Sequence, residues 1–345
     1  MKRMLKFLLA VGFIILFSLA VFFTDRVVQP WYRTWGVNRA EIALSLPGDR
    51  AGDRPYNWAM RGVTIYAPIE KVWPWLAQIG QDRAGFYSYS WLENLIFADI
   101  HNTSQIKREW QEVRLGGFIH PLPQNYLGGI LGRKVEGGWR LTHLEVGRMM
   151  VLEGWGPFVL SPLESDKTRF FIRSSGDRMS LPQRITSFLF LNPGHFIMER
   201  RMMVEIKRLA EGRAGTPPWW QWLAHIGFAL SALIGAWVII RRRGKRLWLL
   251  LPLAHAGVVL IFTRDWQSAL VACSALSLLI AGLLLFRRWW WAYIGCMWIF
   301  TYAVFFIAPD AYPAFGVFFL VAFAFMLVFP PLRRRWNAYG GPAGG

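Results

Sequence analysis

The stretch Val63-Thr64-Ile65-Tyr66-Ala67-Pro68-Ile69-Glu70-Lys71-Val72-Trp73-Pro74-Trp75-Leu76-Ala77-Gln78-Ile79-Gly80 changes character in its middle. Residues 58–66 are strand-like and partly alternating. Pro68 then stands where a helix tolerates proline, and Glu70 puts a carboxylate in the first turn, where the backbone dipole favours it. Pro74 conflicts with a helix interior, because it lacks an N–H and crowds the preceding turn. Working outward, residues 49–55 read as a loop and a second helix fits 89–97. Strand candidates are 112–119, 139–146, 148–153, 157–160 and 168–174, separated by glycine pairs and by Asp166-Lys167. A strong helix closes the series. Asn192 is read as its N-cap and Pro193 as its first residue, with Met198, Met202, Ile206 and Leu209 on one face. One strand, two helices, several antiparallel strands and a long helix predict an α+β domain with helices on one face of a sheet.

Residues 63–80 resemble the first strand and helix of the START-like (SRPBCC) superfamily, which includes polyketide cyclases and lipid-transfer proteins. Arg83-Ala84-Gly85-Phe86-Tyr87-Ser88-Tyr89-Ser90-Trp91-Leu92-Glu93-Asn94-Leu95 is similar to a bacterial subgroup of it, as is His195-Phe196-Ile197-Met198-Glu199-Arg200-Arg201-Met202. The likeness covers roughly residues 58–211. It implies a helix-grip architecture, a curved antiparallel sheet around the long C-terminal helix with a cavity between, and a first helix that accommodates Pro74. Gly116-Gly117 stands where the subgroup usually has Gly-Asp, which removes a carboxylate from the pocket rim.

Composition supplies the rest of the architecture. The chain has 345 residues, is 54% hydrophobic and carries a net charge of +18. Fourteen of its 39 basic residues lie in 1–23 and 219–345, where Asp265 and Asp310 are the only acids. That +12 sits between apolar runs, which is how membrane proteins fix orientation, and it argues against a nucleic-acid partner. Residues 24–218 carry only +6. Apolar runs at 7–23, 219–240, 247–263, 268–286, 289–308 and 314–330 predict six spans and an all-α transmembrane bundle beside the α+β domain. Lysine and arginine alternate between rich and poor connections, so both termini are expected in the cytoplasm and 24–218 outside the cell membrane. Residues 24–57 then form a linker and 331–345 a cytoplasmic tail. The first run reads as an uncleaved anchor, although Ser18-Leu19-Ala20 also has the spacing of a signal cleavage site.

The candidate site residues fall into three sets. Phe86, Tyr87, Trp91, Phe118, Trp139, Phe171, Met198 and Met202 would line an apolar ligand pocket, or else simply fill a core. Tyr87, Glu93 and His120 are weak acid–base candidates, with Tyr89, Asp99, His101 and His143 as further polar residues; a general acid or base needs a partner and a shifted pKa that spacing does not supply. His225 and His255 lie at similar depths in adjacent spans and are weak candidates for a metal, haem or proton site. No cofactor is expected, since the chain has no nucleophile elbow, glycine-rich phosphate loop or paired-histidine metal motif. The leading expectation is a membrane-anchored domain that binds a hydrophobic, lipid-like ligand, with membrane lipids as its partners. An enzyme resembling polyketide cyclases and a ligand-free structural or sensory module are the alternatives.

Overall fold

A computed structural model gives the fold and describes residues 21–49, 58–126, 137–174, 179–241, 246–286, 290–308 and 310–319, together with residues 4, 11–12, 15, 18–19 and 321. The chain forms two compact units. Met1–Ile79, Ser104–Ile119 and Gly137–Gly212 make the first; Gly80–Thr103, His120–Glu136 and Arg213–Gly345 make the second.

In the first unit residues 21–28 are helical, with a π-helical turn at Thr24–Val28, and run into α1 (Gln29–Arg33), which α2 (Arg39–Ile42) follows. Asn38 and Glu41 close α2 reciprocally: Asn38 Oδ1 accepts from Glu41 N at 2.9 Å and Glu41 Oε2 from Asn38 N at 2.8 Å. Then follow β1 (Ala59–Ile65) and α3 (Ile69–Ala77). Next comes α4 (Ser90–Glu93), which belongs to the second unit. The sheet continues with β2 (Phe118–Ile119), β3 (Trp139–Glu145), β4 (Met149–Leu152), β5 (Gly156–Glu164) and β6 (Lys167–Ser174). All neighbours are antiparallel, in the order β1-β6-β5-β4-β3-β2. The architecture is therefore the predicted sheet plus helices. Strand β2 is much shorter than the expected 112–119, because the chain turns at 115–116, where Gly117 N donates to the Arg114 carbonyl at 3.0 Å. Gly156 is required by geometry: its φ is +125°, and a Cβ there would run into the Arg173 carbonyl across the sheet.

Two arginines on β6 fasten the stretch read as a linker. Arg169 Nε lies 2.6 Å from Glu41 Oε1, and Arg173 Nη1 lies 2.5 Å from Asp49 Oδ2 and 2.8 Å from the Leu44 carbonyl. Residues 39–49 are thus tied to the sheet edge pair by charge-assisted bonds.

Helix α5 (Leu181–Thr186) runs through a π-helical turn at Ser187–Leu191 directly into α6 (Asn192–Ala210). Asn192 consequently does not cap. It sits within continuous helix, its Oδ1 accepting from Ser187 Oγ at 2.9 Å. The expected face also rotates. Phe196, Glu199, Met203, Ile206 and Ala210 form the buried stripe, with Met202 beside it, while Met198 and Leu209 are only half-buried. The reason is Glu199: its ion pair draws a charged position inward, which hydrophobic periodicity counts as outward.

The second unit is built on α7 (Pro218–Arg241), α8 (Leu250–Thr263), α9 (Trp266–Leu285) and α10 (Trp290–Ile307), and residues 311–319 are also helical. Among the described residues three helices, α7, α9 and α10, are long and apolar enough to cross a membrane. The expectation of six spans is corrected accordingly. The run at 247–263 yields a 3-10 turn and then the 14-residue α8, which at ~1.5 Å per residue is about 21 Å long and short of a ~30 Å hydrocarbon core. Most of the runs at 7–23 and 314–330 lies outside the described residues. Small residues set the helix contacts. A Cβ on Gly227 would meet the Gly316 backbone, and one on Gly316 would lie 2.5 Å from Ala224 Cα.

Candidate functional site

The densest group of the named residues lies in the second unit, where residues 80–103 pack on the apolar helices. This segment is held by its own polar backbone bonds. Gly80 and Gly85 exchange two N–H···O bonds of 2.9 Å, and Gly85 has φ +69° with no room for a Cβ beside Asn102. Asn102 Oδ1 accepts from Tyr87 N at 2.9 Å while its Nδ2 donates to the Ser88 carbonyl at 2.8 Å. Three non-glycine residues, Tyr87, Phe97 and Asp99, take left-handed φ values of 55°, 65° and 50°. Such conformations cost of order 1 kcal/mol each and concentrate at functional or clamped segments.

Asn94, fully buried, locks the loop to the helices. Its Oδ1 accepts from Ile100 N at 2.8 Å, and its Nδ2 donates to the Ile100 carbonyl at 3.0 Å and to Asp265 Oδ2 at 3.2 Å. Asp265 is the N-cap of α9, accepting from Gln267 N at 3.0 Å. Leu95 and Phe97 pack against Val259, Ala269 and Ala272 of α8 and α9. Tyr89 meets Phe305 edge-on at 5.2 Å, and Trp91 stacks on Phe305 at 6.1 Å and 11°. Trp91 also meets Tyr312 at 5.6 Å and Phe315 at 5.8 Å.

Glu93 ends α4 in this setting. Its Oε2 is buried and has no hydrogen-bond partner among the described residues. Burial pushes its carboxyl up to about 8, so it holds its proton at neutral pH. Tyr87, the second acid–base candidate, is 1% exposed. His120 Nδ1 lies 3.3 Å from Asp82 Oδ2, and Asp99 pairs with His101 at 2.9 Å and Glu145 with His143 at 3.1 Å, all with exposed members. These three pairs are surface contacts.

The eight pocket candidates are divided. Phe86, Tyr87 and Trp91 belong to the second unit, whereas Phe118, Trp139, Phe171, Met198 and Met202 belong to the first. Trp139 packs on Trp155 at 4.4 Å, Phe171 and Met202 are buried, and Phe118 is 46% exposed. The two histidines of the apolar helices also have separate surroundings. His225 is ringed by Trp266 at 4.6 Å, Tyr312 at 5.5 Å and Trp222 at 5.6 Å, while His255 packs on Phe97 at 5.7 Å. Among the described residues no three His, Cys, Asp or Glu side chains are grouped to hold a metal ion.

A second cluster, in the first unit, escaped sequence reasoning. Arg61 on β1 donates from Nη1 to Glu199 Oε1 at 2.7 Å and from Nε to the Tyr32 carbonyl at 2.9 Å. Trp155 Nε1 donates to Glu199 Oε2 at 3.0 Å, and His195 Nε2 lies 3.4 Å from the same oxygen. The Arg61 guanidinium also lies 5.2 Å from the Phe196 ring centre, and Phe196 stacks with Tyr32 at 5.5 Å. Burial by itself would raise the Glu199 carboxyl. The charges of Arg61 and His195 and the Trp155 and Arg61 hydrogen bonds outweigh it, and the carboxyl is held below its ordinary value. An arginine inside an apolar strand is the one signal the sequence offered for this cluster. Its partner, 138 residues away, left none.

Compared with family models, curated proteins and solved structures, the chain matches none.

Proposed function

We propose that the chain is a multi-pass membrane protein presenting a START-like, helix-grip domain outside the cytoplasm, where it binds a hydrophobic, lipid-like ligand at the surface of the cell membrane. The observation that carries this reading is the seating of Tyr89 and Trp91 on Phe305. These residues come from the START-like stretch, yet their partners are on apolar helices of spanning character. Ligand-binding sequence and membrane sequence therefore share one packed unit, which keeps a bound lipid near the bilayer at high effective concentration. The antiparallel sheet, with α6 joined to β1 through Glu199 and Arg61, supports the helix-grip part. The arginine-rich connections at 241–246 and 287–288 support a cytoplasmic position for themselves and for both termini. Native mass spectrometry of the full chain extracted from its membrane tests the reading. A co-purifying apolar molecule of defined mass is expected; a chain that carries none, and takes up no fluorescent lipid from vesicles, overturns it.

Glu93 favours a second reading, an enzyme of the polyketide cyclase kind with this carboxyl as general acid. A protonated acid at neutral pH within an aromatic setting is what such a role requires. The same spectrum separates the two. One unchanged molecule on wild type and on Glu93→Gln indicates binding, whereas a molecule altered by wild type and intact on the variant indicates catalysis.

A further inference from the structure

Five side chains of the helical unit hold buried polar atoms with no partner among the described residues, and three of them form one group: Trp91 Nε1, both ring nitrogens of His225, and the Tyr312 hydroxyl. They are neighbours. The Tyr312 ring lies 5.6 Å from Trp91 and 5.5 Å from His225, so the phenol bridges the other two. His225 is 8% exposed and Tyr312 is 7% exposed. Packing fixes the arrangement, since the close approach of Gly227 and Gly316 lays residues 311–319 against α7 and the Phe305 stack holds Trp91. Each buried polar group left without a hydrogen bond costs about 1–3 kcal/mol. Native structures rarely leave one such group unmatched, and here three lie on neighbouring rings.

The atoms define what would match them. An indole N–H only donates, a phenol donates and accepts, and a neutral imidazole donates through one nitrogen and accepts through the other. Their complement has an oxygen that accepts and an O–H that donates. The rings around them and the apolar helices that carry two of them favour an uncharged head on a hydrocarbon body. We infer that Trp91, His225 and Tyr312 form a binding site for the uncharged hydroxyl- or carboxyl-bearing head of a single-chain amphiphile, whose chain lies along the apolar helices. This goes beyond the function proposed above: the site is within the helical unit and needs no cavity in the sheet unit. Buried water would match the same atoms, and it is the competing occupant.

The full chain in phosphatidylcholine nanodiscs, irradiated with diazirine-bearing 1-oleoylglycerol or diazirine-bearing oleic acid, tests the site. Cross-links are expected on the peptides containing Trp91 and Tyr312, and excess unlabelled amphiphile should remove them. Preference for the glycerol probe assigns a hydroxyl head, and preference for oleic acid at acidic pH a carboxyl. Tyr312→Phe keeps its ring and Trp91→Phe keeps an aromatic, smaller one, and each should lower labelling about fivefold, the equivalent of one hydrogen bond. Wild-type cross-links confined to other peptides overturn the proposal whatever the variants do. Equal labelling of wild type and both folded variants overturns it too, and leaves water as the occupant.

Discussion

Arg61 Nη1 lies 2.7 Å from Glu199 Oε1 with both side chains at most 2% exposed, so strand β1 and helix α6 meet through a dry ion pair. Its removal is asymmetric. Glu199→Ala leaves Arg61 buried and unpaired and should cost about 3–5 kcal/mol, read by chemical denaturation of the full chain in detergent. The double variant Arg61→Met, Glu199→Leu should lose clearly less, because no bare charge remains. A double variant as unstable as Glu199→Ala would show that the pair itself, and not the orphaned charge, dominates.

Glu93 predicts a pH dependence. Its folded-state pKa, about 8, lies above the ordinary 4.5, so the folded chain binds the extra proton between those values. Stability then falls as pH rises from about 4.5 through 8 and levels beyond. Glu93→Gln should flatten that part of the profile and raise the melting temperature at pH 8 relative to wild type. Parallel profiles for the two proteins would place the carboxyl in water.

Gly316→Val should loosen the helical unit, since the new side chain must enter the space of Ala224. Overpacking of this kind costs about 1–3 kcal/mol. Faster proteolysis within residues 213–319, with the sheet's spectroscopic signal kept, is the expected result.

Gly156→Ala isolates a backbone effect in the sheet. At φ +125° beside the Arg173 carbonyl, even one methyl group is strained, and a loss of more than about 1 kcal/mol follows. A neutral substitution would mean that β5 can shift away from β6.

The sheet, the long helix and three apolar helices were legible because each repeats one local pattern over many residues. The pattern at 58–80 gave β1 and α3, although propensity alone could not place Pro74 inside a helix. What stayed hidden depends on pairing across the chain. Glu199 reads as one more charge on a basic helix until Arg61 and Trp155 are found around it. Asn94 reads as one residue of a helix over 89–97, and only its bonds to Ile100 and Asp265 show it to be a clasp. The short α8 misled for another reason: the 17-residue run at 247–263 satisfies composition, but part of that length forms a 3-10 turn, which no hydropathy count registers.

The passage of residues 80–103 into the helical unit has a practical consequence for anyone dissecting the protein. The chain enters that unit three times, at residues 80, 120 and 213, so no single cut separates the two halves. A fragment ending at residue 212 would retain Tyr89, Trp91 and Leu95 stripped of Phe305, Phe315 and the α8–α9 surface. It would expose a sticky aromatic flap and self-associate. Its failure to behave would report the missing scaffold, and say nothing against the sheet.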